Sequence, residues 1–211
     1  MSTPSDLRML VMHGLRLKGF GEAAAIGEAA GVSEAEAKPV LDELVSEGLA
    51  AYRDGRLSGF SLTKPGRERH AEQLAAELAV TGATAVVEDA YRRFLTLNTD
   101  LLSICTAWQL RDTDGEPIVN DHTDAAHDAA VIERLTGLHA LVEPICADLA
   151  GALDRFGGYG GRMAHALERV LAGDGDWFTK PMIPSYHTVW FEMHEDLLST
   201  LGIERGSESA G

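Results

Sequence analysis

Apolar residues recur every three or four positions along most of this chain, the period of helices with one buried face. Leu7, Leu10, Val11, Gly14 and Leu15 predict a helix over residues 5–17, stopped by Lys18-Gly19-Phe20-Gly21. A short Ala-rich helix over 22–30 follows, ending at Gly31. Ser33 with Glu36 three residues on predicts a capping box, opening a third helix to about Glu47 with Val40, Leu41, Leu44 and Val45 as its stripe. Pro39 inside it is expected to shift or kink the helix start. Two β-capable runs, 49–53 and 56–62, then flank Asp54-Gly55, a hairpin signal.

Beyond residue 66 the pattern is helical throughout. A linker helix covers 67–79, broken at Thr81-Gly82. A long helix over 83–110 carries Val87, Tyr91, Phe94, Asn98, Leu101, Cys105 and Trp108 at helical spacing. Arg111–Pro117 reads as a polar loop. The next stripe runs Ile132, Leu135, His139, Val142, Cys146, Leu149, Leu153, Phe156, with Pro144 expected to kink or split it. Gly157–Gly161 reads as a connector, 162–172 as a helix, Asp174–Pro184 as a loop and 186–201 as a last helix. The expected fold class is mainly α. An N-terminal winged helix-turn-helix over 1–72 is followed by an all-helical bundle over 73–205 and a disordered tail over 206–211.

The first third carries a resemblance. Gly31-Val32-Ser33, Glu47-Gly48-Leu49 and Leu62-Thr63-Lys64-Pro65-Gly66-Arg67 resemble the turn, wing entry and wing exit of MarR-like winged-helix regulators. The likeness covers about residues 5–72 and implies DNA binding, with the third helix in the major groove. Here that helix leads with Glu34, Ala35, Glu36, Ala37, Lys38 and Pro39, a poor match to a polyanion unless the carboxylates accept from cytosine amino groups. The compensation lies between Tyr52 and His70, where Arg53, Arg56, Lys64, Arg67 and Arg69 face Asp54 and Glu68. Lys38 and those five cations are the candidate DNA contacts, with Arg16 and Lys18 as additions.

Charge sharpens this division. The net charge of −15 splits into −3 over residues 1–80 and −12 over 81–211, so nucleic acid is excluded from the acidic part. No apolar run reaches the length of a membrane span, and the first residues lack a secretory pattern. Two cysteines, Cys105 and Cys146, without a CxxC, point to a reducing cytoplasm.

Candidate chemistry in the second part is sparse. Asn98 on an apolar stripe reads first as a core hydrogen-bonding group. With the aromatic residues Trp177, Tyr186 and Trp190 it also makes a candidate site for a small apolar or aromatic ligand. Trp190 is expected partly buried at a pocket mouth. Asp124 and His127, with Asp121 or His122, have the spacing of a metal site, but helix capping accounts for the same residues and no metal is expected. His139 reads as a core histidine. The Gly157–Gly161 run lacks the Gly-Lys-Ser/Thr of a phosphate loop. No nucleophile–base pair stands out, so neither an enzyme nor a cofactor is expected.

Trp108-Gln109 and Ser185–Phe191 resemble helical segments that accompany pyruvate-phosphate-dikinase-like enzymes. That likeness implies a regulatory association with a phosphoenolpyruvate-utilising enzyme, and no catalytic residues. The expected function is a homodimeric DNA-binding regulator, paired through residues beyond 73. The alternative is a protein-interaction module that keeps the fold without touching DNA.

Overall fold

The computed structural model describes residues 6–113 and 115–203; the tail expected over 206–211 lies outside them. The chain is mainly helical and divides into two compact units that interleave in sequence. One comprises the residues up to Val87, Gly151–Phe156 and the chain from Glu192 on. The other comprises Glu88–Ala150 and Gly157–Phe191. Residue 72, the expected boundary, falls inside a helix of the first unit.

The first unit opens with α1 (Leu7–Lys18), α2 (Ala23–Ala30) and α3 (Glu34–Ser46). An antiparallel hairpin follows, β1 (Ala50–Arg53) with β2 (Gly59–Leu62), paired Ala50 to Leu62 and Arg53 to Gly59. Gly21 joins this hairpin through a bridge to Phe60. Then comes α4 (Lys64–Thr81). Val11, Met12, Leu15, Ile26, Leu41, Leu44 and Phe60 form one core, so most of the stripes predicted for the first and third helices meet there, while Leu7 is exposed. The capping box at Ser33 and Glu36 is made in both directions, and α3 starts where the spacing predicts. Pro39 sits in its second turn, and the carbonyl it leaves without a donor belongs to exposed Ala35. Thr63 caps α4 by accepting from the Gly66 amide at 3.1 Å.

The second unit contains most of α5 (Thr84–Gln109), then β3 (Leu110–Thr113), β4 (Glu116–Val119) and α6 (Ala125–Ala152). After one 3-10 turn, Asp154–Phe156, the chain forms α7 (Gly157–Leu171), α8 (Asp176–Thr179) and α9 (Tyr186–Leu201). The division between units falls inside α9, after Phe191.

Four expectations need correction. The second part is not all-helical: the stretch read as a polar loop is a hairpin, with Thr113 paired to Glu116 across a turn holding Gly115 at φ 87°. Its β4 strand is exposed along its length, so no hydrophobic alternation announced it. Pro144 does not split α6, because the carbonyl it deprives of a partner belongs to exposed Ala140. Gly157–Gly161 is not a connector but the opening of α7. The buried stripe Met163, Ala166, Leu167 and Val170 reaches back to Tyr159 and holds those glycines helical. The loop expected over 174–184 contains the short helix α8.

Candidate functional site

The exposed side of α3 is acidic. Glu34, Glu36, Asp42, Glu43 and Glu47 at its C-cap are all exposed, and Lys38 is tied to Asp42 at 2.6 Å. Arg8 on α1 adds a cation there, donating to Glu47 at 2.6 Å. The hairpin carries the opposite sign. Arg53 lays its guanidinium 4.5 Å from the centre of the Phe20 ring. Arg56 is exposed at the hairpin tip and forms no ion pair among the described residues. Lys64 stands 3.9 Å from Glu68 and Arg69 3.2 Å from Glu72, both solvent-exposed pairs of small energetic weight. Arg67 donates to the Leu62 carbonyl at 2.9 Å, which binds the start of α4 to the end of the hairpin.

Arg16 and Lys18 do not join this surface. Arg16 donates to Glu195 at 3.2 Å and Lys18 to Glu192 at 2.6 Å, both on α9. Sequence spacing concealed these partners, because the apolar stripe of α9 leaves its acids to be read as solvent-facing.

The four candidate ligand residues are not one site. Asn98, Tyr186 and Trp190 gather in the second unit, where Trp190 donates its indole N–H to Asn98 Oδ1 at 2.9 Å. Trp190 stacks on Phe94 at 4.5 Å and is only 2% exposed, so it lies in packing rather than at a pocket mouth. Tyr186 is fully buried, and its hydroxyl is 3.2 Å from His139 Nδ1. Burial lowers the pKa of His139 and raises that of Tyr186, which keeps both neutral. Trp177 lies elsewhere, with the His165 ring edge-on at 5.1 Å and the Arg169 guanidinium at 4.9 Å.

A cleft of about 740 Å³ opens in the second unit, and of the residues weighed for metal from the sequence only His122 lines it. Trp108, Asn120, His122 and Asp128 form one wall; Gly173–Asp176, Thr179 and Lys180 form another. Asn120 is buried and donates to the Trp108 carbonyl at 3.0 Å and to Asp128 Oδ1 at 2.8 Å. Its own carbonyl accepts from the His122 amide at 3.1 Å, which holds His122 at φ 57°. The imidazole is thereby fixed with Nδ1 3.0 Å from Asp128 Oδ2 and its ring 4.4 Å from that of Trp108. With Nδ1–H donating to the carboxylate, Nε2 is the nitrogen left for a molecule in the cleft.

The neighbouring acids and histidine are spent on structure. Asp124 Oδ1 accepts from the Ala126 and His127 amides at 3.1 Å each, capping α6. His127 Nε2 donates to the Ala107 carbonyl at 2.8 Å, and Asp121 accepts from Arg111 at 3.1 Å. Among the described residues no three His, Cys, Asp or Glu side chains converge as metal ligands. No described helix is long and apolar enough to cross a membrane. No protein-family model, curated protein or solved structure matches the chain.

Proposed function

We propose that the first unit is a winged helix and that the protein is a DNA-binding regulator. The observation that carries this reading is the Gly21–Phe60 bridge, in which Gly21 donates to Phe60 at 3.1 Å and Phe60 to Gly21 at 2.8 Å. It ties the α1–α2 connection to β2 through a single isolated bridge. Three helices followed by a hairpin tied back in this way support the winged helix-turn-helix reading. Arg53 and Arg56 on the hairpin, with Lys64, Arg67 and Arg69 behind it, would supply the phosphate contacts. In this reading the protein acts as a homodimer, and the cleft beside His122 takes a small hydrogen-bonding effector.

The test is titration of labelled DNA from the region flanking the gene, followed by anisotropy across a salt series. Arg53→Ala with Arg56→Ala should weaken binding to every sequence alike and reduce the salt slope by about 2. A folded chain that binds none of this DNA at low salt sinks the reading.

The acidity of α3 favours a second reading, a winged helix that docks a basic protein surface. Five exposed carboxylates stand where a DNA reader would present donors. Under this reading the hairpin variants leave partner binding intact, and reversing Glu34 and Asp42 to Lys abolishes it.

A further inference from the structure

Two histidines from different helices are buried edge to edge in the first unit, their rings nearly coplanar. His13 on α1 and His70 on α4 are 3% and 2% exposed, with His13 Nδ1 2.9 Å from His70 Nε2. The other nitrogen of His13, Nε2, lies 3.0 Å from Oδ2 of Asp196 on α9. Arg155, in the 3-10 turn, binds Asp196 Oδ1, donates from Nε to Glu77 on α4 at 2.8 Å, and from Nη2 to Thr200 at 2.6 Å.

Proton counting restricts this cluster. A nitrogen–nitrogen contact of 2.9 Å holds one proton; two N–H groups pointing at each other at that distance would collide. The pair therefore accepts three protons over four nitrogens, which is one positive charge at most. Once unfolded or separated, the two imidazoles titrate independently near pH 6.5 and each takes a charge. The separated form thus binds at least one proton more below that pH.

We propose that the His13–His70 pair is an acid-sensitive latch. Closed, it holds the Glu192–Leu201 half of α9 and Arg155 against α1 and α4; taking up a second charge parts the rings and releases that half-helix. The surroundings work in the same sense. Burial and the neighbouring charge of His13, with Arg16 and Arg155 adding to them, push His70 down to about 3. Burial opposes a charge on Asp196, yet Arg155 and His13 hold its carboxyl well below the usual carboxylate range. The other ionisable groups brought to this packing are Arg16 and Lys18 on α1 and Glu77 on α4. From α9 come Glu192, Glu195 and the buried His194. Glu192 and Glu195 bind Lys18 and Arg16 at 2.6 and 3.2 Å, so they belong to the same α1–α9 packing.

The linkage has one sign. A histidine kept neutral in the folded state stabilises it above pH 6.5, and that contribution is lost as pH falls towards His70's folded value. Opening of the half-helix should therefore become about tenfold more favourable per pH unit below about 6.5.

The experiment uses the full chain with ¹⁵N-labelled histidine. At pH 7 a nitrogen–nitrogen coupling across the hydrogen bond should link His13 Nδ1 to His70 Nε2. Amide exchange, corrected for intrinsic rate, should show residues 192–201 losing protection between pH 7 and pH 5 before global unfolding. His70→Gln, which can still hydrogen-bond to His13 but takes no proton, should remove that pH dependence. Absence of the coupling, equal protection at both pH values, or a pH dependence that survives in His70→Gln overturns the latch. If His70→Gln fails to fold, the wild-type coupling decides: it must vanish over the same pH range in which protection is lost.

Discussion

Lys18 sets its ammonium 2.6 Å from a carboxylate of Glu192 whose side chain is only 3% exposed. The pair joins the end of α1 to α9, 174 residues further on, and lies within one compact unit. Burying a carboxylate this deeply costs free energy that a neighbouring cation offsets. Lys18 itself is 23% exposed and bears less of the desolvation cost. Removing the cation is thus the damaging change: Lys18→Met should cost about 3 kcal/mol, the scale for breaking a buried ion pair from one side. Lys18→Met with Glu192→Met should recover most of that loss. Urea unfolding of the wild type and the two variants measures it, and equal stability of the single and double variants would refute it.

Gly66 tests the role of the Leu62–Arg67 segment in the first unit's packing. A Cβ built at this position would stand 1.9 Å from the Leu49 carbonyl oxygen and 2.9 Å from its carbon. Both are backbone atoms, so no rotamer change relieves the clash. Gly66→Ala should destabilise the first unit by about 3 kcal/mol or more, at the upper end of overpacking costs. Gly137, in the interior of α6, is the contrast, because an added Cβ meets nothing within 4 Å. Gly137→Ala should stabilise the chain by about 1 kcal/mol through helix propensity and reduced freedom of the unfolded state. Thermal melts of the two variants should move in opposite directions.

What the sequence revealed and what it hid separate along a physical line. The helix, helix, helix, hairpin, helix order was legible because local rules act there: the Ser33–Glu36 cap, the Asp54-Gly55 turn, the 3–4 stripes. The same Asp-Gly pair at 114–115 passed as a loop because β4 buries neither face. Glu192, Glu195 and Asp196 were illegible for another reason. Acids on a helix are normally solvated, and the partners on α1 and in the 3-10 turn that make their burial tolerable come from distant parts of the sequence. The cleft was half visible. His122 was weighed as a metal ligand, but the Asn120-held turn that fixes it depends on the end of α5 and the start of α6 meeting there.

The two thiols give a test of the second unit's packing. Burial pushes Cys105 up to about 12; burial and then the charge of Glu143 push Cys146 up to about 11. The thiolate is the reactive form, so at pH 8 both should be inert in the native chain. A chromogenic disulfide reagent should count no reactive thiol per native chain and two in denaturant. Prompt labelling of either cysteine in the native state would mean that α5 or α6 opens far more readily than its burial implies.

The Trp190–Asn98 bond separates a core group from a ligand site. Trp190 is buried and its indole N–H has Asn98 Oδ1 at 2.9 Å, whereas Asn98 is half-buried. The two ends of the bond therefore respond differently to losing the other. Asn98→Leu strands the indole N–H away from water and should cost about 2 kcal/mol, as expected for an unsatisfied buried donor. Trp190→Phe frees a carboxamide that water can reach, so its cost is mainly the volume lost against Phe94, also about 2 kcal/mol. With both changes no donor is left unpaired, and the double variant should lose about 1 kcal/mol less than the sum of the singles. Urea unfolding followed by far-ultraviolet circular dichroism, which is independent of indole emission, yields the cycle. Strict additivity would show that the bond contributes nothing to stability and would return Asn98 to the list of groups free to meet a ligand.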